Sequence, residues 1–161
     1  MLKEIVTKAV VSKGKIIDNK EISFQIVENV NKAIGCWIIN HNYLSVVENN
    51  KVYCCGRYDV HIWYAINNSA DTLLYKKTID YKEEFNMENS NFDLENSEYK
   101  VYCIEYPTCT NLQLFDNVVS INIKKGLALD VIGESKLLVQ VSDSWGQEEA
   151  SLGINTNYLN K

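Results

Sequence analysis

Arginine is almost missing from this chain, with Arg57 the only one in 161 residues. Phosphate and base recognition draw on clustered Lys and Arg, so one guanidinium and a formal net charge of −5 argue against a nucleic-acid partner. Proline is equally scarce, represented by Pro107 alone. No stretch approaches the ~20 apolar residues of a membrane span. The opening segment "MLKEIVTKAVVSKGK" has neither an unbroken apolar core nor a small-residue cleavage site. Membrane insertion is therefore not expected, and the expected place of synthesis is the cytosol. A phosphate loop of the GxxxxGK or GxGxxG kind is also lacking, which removes the main sequence evidence for nucleotide binding.

The histidines and cysteines are few and badly spaced for a metal. No CxxC pair occurs among Cys36, Cys54, Cys55, Cys103 and Cys109, and adjacent Cys54 and Cys55 point to opposite faces of a strand. An odd number of thiols without a framework pattern reads as reduced cysteine. Glu83, Glu84 and Glu88 lack the spacing of a calcium loop. The two imidazoles, His41 and His61, leave Cys36 with His41 as the one nucleophile and base that could be drawn. A histidine satisfying a backbone carbonyl explains His41 better, and His61 falls on the polar face of a strand. No catalytic, metal or cofactor site is expected, and the chain is not expected to be an enzyme.

What the chain does have is strand pattern. Hydrophobic residues make up 46% and tyrosine occurs ten times, a composition with strand-forming bias. In "KVYCCGRYDVHIWYAI", Val52, Cys54, Tyr58, Val60, Ile62, Tyr64 and Ile66 alternate with Lys51, Tyr53, Cys55, Arg57, Asp59, His61 and Trp63. Gly56 is the expected place for a bend or bulge in this strand. Shorter alternations recur in "EIVTKAVVS", "EISFQIVE", "TLLYKKTIDY", "SEYKVYCIEY", "VVSINIK" and "SKLLVQVS". Turn chemistry separates them at Asn49-Asn50, Asn67-Asn68-Ser69, Lys125-Gly126 and Gly133-Glu134-Ser135. No amphipathic helix of useful length is visible. Such spacing predicts an all-β, single-domain antiparallel β-sandwich or distorted barrel of about nine or ten strands. The expected domain covers residues 1–143, followed by a flexible tail over 144–161. "KEEFNMENSNFDLENSE" reads as a long loop pinned by Phe85, Met87, Phe92 and Leu94.

If one face of the long strand packs inward, Tyr53, Arg57 and Trp63 face outward, and these residue types are enriched at interface cores. A sheet face covered by its own loops is the alternative reading. The stretch "GCWIINHNY" reads as strand and turn, with Trp37 and Ile39 on one side and Ile38 on the other. In that reading Asn40 or His41 bonds the turn, and Trp37 and Tyr43 join the candidate subunit contact. Cys36, Cys55 and Cys109 are the candidate thiols for cross-linking subunits.

Five stretches taken in order, "EIVTKAVVSKGK", "GCWIINHNY", "GRYDVHIWY", "YPTCTNL" and "VIGESKLLVQV", resemble the outer spore coat morphogenetic protein family, CotE, of endospore-forming bacteria. The resemblance runs from about residue 3 to residue 142. It implies a non-enzymatic scaffold without cofactors, made in the mother-cell cytoplasm and then located in the spore coat, which self-assembles and recruits other spore coat proteins. The tail departs from the strongly acidic family pattern, carrying only Asp143, Trp145, Glu148 and Glu149 before a neutral stretch. A carbohydrate- or peptide-binding β-sandwich is the competing expectation, which would show an aromatic cleft instead of higher oligomers.

Overall fold

The computed structural model describes residues 2–141, so the tail expected over 144–161 lies outside the described residues. Seven strands follow one another: β1 (Leu2–Gln25), β2 (Lys32–Glu48), β3 (Lys51–Ile66), β4 (Asp71–Glu84), β5 (Asn86–Met87), β6 (Glu98–Phe115) and β7 (Val118–Gln140). They form a four-stranded sheet in the order β5-β1-β7-β6 and a three-stranded sheet in the order β2-β3-β4. The chain is all-β and sandwich-like, and it is not a closed barrel.

The strands are fewer and longer than the nine or ten expected. "EIVTKAVVS" and "EISFQIVE" are two parts of β1, and "VVSINIK" and "SKLLVQVS" are two parts of β7. Lys125-Gly126 and Gly133-Glu134-Ser135 are accordingly strand, because β7 lies between β1 and β6 and its backbone has partners on both sides. The turns at Asn49-Asn50 and Asn67-Asn68-Ser69 are present, with φ between 52° and 67° at all five residues. Asparagine tolerates this left-handed conformation better than most residues, so it closes the β2–β3 hairpin without glycine. Asp116 and Asn117 close the β6–β7 hairpin in the same way. Pro107, which has no N–H to donate, lies in β6 at the edge of its sheet.

The described residues divide into two compact units, and β1, β6 and β7 run through both. One comprises residues 2–13, 87–100 and 130–141, where Lys8 pairs with Glu98, Lys136 pairs with Glu4, and Ser12 donates to the Asn89 carbonyl. The other, residues 14–86 and 101–129, holds the sandwich and the main core. That core joins Phe24 and Ile26 to Ile38 of β2, to Tyr58, Val60, Ile62 and Tyr64 of β3, and to Val119, Ile121 and Ile123 of β7. The inward face read from the β3 sequence is the buried one. Leu73, Tyr75, Ile79 and Tyr81 of β4 pack against it, as their alternation required.

Candidate assembly surface

Strand β2 decides which side chains reach the outer face. Ile39 pairs with Asp59 and Asn42 pairs with Arg57, so Asn40 and His41 together oppose Tyr58 alone. This is a β-bulge, and Asn40 takes the left-handed conformation at its first position, with φ 57°. "GCWIINHNY" is therefore continuous strand, and no turn interrupts it. Asn40 Nδ2 donates to Asp59 Oδ2 at 2.9 Å, while His41 Nε2 is 2.6 Å from the Tyr81 hydroxyl.

An extra residue shifts the alternation by one, which exchanges the faces of everything beyond it. Trp37 and Ile39, before the bulge, lie outward opposite His61 and Asp59. Leu44, an odd number of residues after Trp37, is brought to the same outer face opposite Cys55. Tyr43 is carried to the other face opposite Gly56, with its ring centroid 4.9 Å from that of His41. Sequence reasoning grouped Tyr43 with Trp37 and missed Leu44 because simple alternation contains no bulge.

No β-bulge occurs at Gly56: pairing with β2 and with β4 continues in register through Cys55, Gly56 and Arg57. The glycine is required for another reason. A Cβ there would lie 2.2 Å from Cζ of Tyr81, whose ring crosses the position.

The outer face thus carries Trp37, 53% exposed, and Leu44, 57% exposed, beside Ile39 and Trp63. Tyr53, Cys55 and Arg57 share it. It carries charges of both signs, with Lys32, Lys51, Arg57, Lys76 and Lys82 beside Glu48, Asp59, Asp80 and Glu84 on the same outer register. Arg57 pairs with Asp80, Lys82 with Glu48, and Lys51 with Glu84. The Lys82 ammonium also stands 4.7 Å above the Tyr53 ring. An open recess of about 400 Å³ lies among Asn42, Tyr43, Leu44, Cys55, Gly56, Arg57 and Asp80.

The inner face beneath the bulge is polar and buried. Lys125, 2% exposed at its side chain, bonds Asp18 at 2.9 Å and Glu83 at 2.8 Å, and lies 4.3 Å from the Tyr81 ring centroid. Burial pushes the Asp18 carboxyl up, but the hydrogen bond and charge of Lys125 outweigh it and hold Asp18 below its ordinary range. Burial and the Lys125 charge both push His41 down. Burial raises the Cys54 thiol to about 11 and, with the nearby carboxylates, the Tyr58 hydroxyl to about 12. Lys125 of β7, engaged by Asp18 of β1 and Glu83 of β4, ties the two sheets together, and the His41 ring meets Tyr106 of β6 edge-on. Among the described residues no group of three or more His, Cys, Asp or Glu is placed to hold a metal ion.

The cysteines divide by position. Cys55 lies on the outer face, Cys54 is buried 3.9 Å from the Tyr81 hydroxyl, and Cys103 donates to the Glu105 and Gly126 carbonyls. Cys36 and Cys109 both pack against the core.

The model of the outer spore coat protein E (CotE) family matches residues 1–159. The chain belongs to the CotE family. No curated protein and no solved structure matches it. Membership of the CotE family makes this chain a spore coat protein, and the family is a structural one.

Proposed function

We propose that this CotE-family chain is a non-enzymatic scaffold that self-associates in the mother-cell cytoplasm and then carries other outer coat proteins on the spore. The observation that carries the reading is the outer face of β2-β3-β4, where Trp37, Ile39, Leu44 and Trp63 stand exposed among charges of both signs. Exposed apolar side chains of this size gain most by being buried against a partner. A second copy fits the charge pattern: the chain carries a net −5, and its copies repel except where both signs are present on the meeting surface. Tyr53 and Arg57 complete that contact, Tyr43 supports it from beneath, and Cys55 is the thiol placed to cross-link two chains. Coat clients bind surfaces that self-association leaves open.

Light scattering coupled to size exclusion tests this over a wide concentration range, with reductant present. Large assemblies that persist in reductant are expected. Trp37→Ser combined with Leu44→Ser should shift assembly to at least ~10-fold higher concentration while the chain stays folded, because both side chains are already exposed. Wild-type protein that stays monomeric at every concentration overturns self-assembly and favours a binding module.

A further inference from the structure

The outer face of β2-β3-β4 carries a hollow as well as projections. On β3 the small Cys55 stands between Tyr53 and Arg57, with Leu44 across from it on β2 and Asp80 across from Arg57 on β4. The gap they surround is the recess of about 400 Å³ over the bare backbone of Gly56. Its volume lies in the range of sites that take small organic groups. The walls suit an aromatic ring: Leu44 offers apolar surface, and the Arg57 guanidinium, held at two nitrogens by Asp80, presents a cationic plane.

Trp37 is more than half exposed on the same face, but its own chain cannot seat it in that hollow. The indole leans over Gly35, where an added Cβ would lie 3.1 Å from Cη2 of the ring. Gly35 pairs with Trp63 and Trp37 with His61, whereas the recess is level with Gly56. Ring and recess are therefore on the order of 20 Å apart along β3, at ~3.4 Å per residue.

We infer that Trp37 of each chain seats in this recess of a second copy. The inference rests on the self-association proposed above and fixes its register. Two chains meeting face to face about a two-fold axis make the contact twice, because each offers the same ring and the same hollow. The axis crosses the strands near Ile39 and Asp59, about midway between ring and recess, and brings Ile39 against its own counterpart. Asp59 is satisfied within its chain by Asn40 and Thr78. The seated indole covers Leu44 and stacks on Arg57, a buried aromatic anchor of the kind that dominates binding energy. Cys55 is then shielded, so a disulfide between two Cys55 residues is confined to chains that have not paired in this register.

The test uses the full chain. Cys55→Trp fills the recess from within and should raise the concentration needed for association by about 10-fold, as Trp37→Ser does, with urea denaturation of the monomer little changed. The two substitutions together should add nothing, because both remove one contact. Trp37→Phe should keep most of the association. Proximity is read separately: Trp37→Cys, mixed with excess parent chain, is treated with a bismaleimide shorter than the separation within one chain. A peptide joining position 37 to Cys55 is expected, and the reagent's length makes it a link between two chains. That readout stands even if Cys55→Trp fails to fold. Parent assemblies whose formation is indifferent to Cys55→Trp, or links from position 37 that bypass Cys55, would overturn the register and leave self-association itself standing. A parent chain that stays monomeric at every concentration would overturn both.

Discussion

The two faces of the three-stranded sheet are built from the same strands and put large side chains to opposite use. Inside, Ile62 and Val60 are fully buried, and Tyr58 and Tyr64 are nearly so. There Tyr64 still donates to Glu28 at 2.8 Å. Outside, Trp37, Leu44 and Trp63 remain open, bordered by ion pairs whose partners are mostly exposed. The inner face contributes to the stability of one chain, whereas the outer face has apolar area to contribute only when another surface arrives.

Neighbours on β3 make the sharpest separation. Ile62→Ala should lower unfolding stability by about 4 kcal/mol, the cost of a cavity in a site that cannot collapse. Trp63→Ser, one residue away and 36% exposed, should cost under ~1 kcal/mol and instead weaken association. Urea denaturation at low protein concentration measures the first effect, and light scattering at high concentration measures the second. Equal losses of stability from both variants would erase the distinction between the faces.

Gly56 tests how the inner face is packed. Gly56→Ala should cost about 2 kcal/mol, because the new methyl must displace the Tyr81 ring. In a Tyr81→Ala background the same substitution should be nearly neutral, since the φ of Gly56 lies outside the left-handed region. A penalty that persists without Tyr81 would assign the glycine to backbone conformation after all.

Strand β3 was legible because its period of two is unbroken from Lys51 to Ile66, and so were the Asn-Asn turns, whose chemistry is local. The bulge in β2 was not. Nothing in "INHN" distinguishes an inserted residue from an ordinary alternation, yet that residue moves Leu44 out and Tyr43 in. The length of β7 was hidden for a related reason. Lys125 before a glycine looks like a turn until Asp18, 107 positions away, and Glu83, 42 positions away, are seen to hold it inside. Cys36 and Cys109 were readable as thiols, but that both pack against one core depends on how the two sheets meet. Partners close in sequence could be inferred, whereas partners supplied by the other sheet could not.

Mild acid should act on the inner face through His41. His41 is held neutral by burial and by the Lys125 charge, so its folded pKa lies below the ordinary 6.5. The unfolded chain takes up the proton first, which means the contribution of His41 is complete above that value and is lost as the pH falls below it. Geometry agrees: Nδ1 is buried without a partner, and an added proton there would have no acceptor. Asp18, whose folded carboxyl is lowered, adds a second loss only at more acidic pH, below its ordinary 3.8. The thermal midpoint should therefore fall between about pH 7.5 and pH 5, and His41→Gln should flatten that slope. A slope that persists unchanged in His41→Gln would take the acid sensitivity away from this buried imidazole.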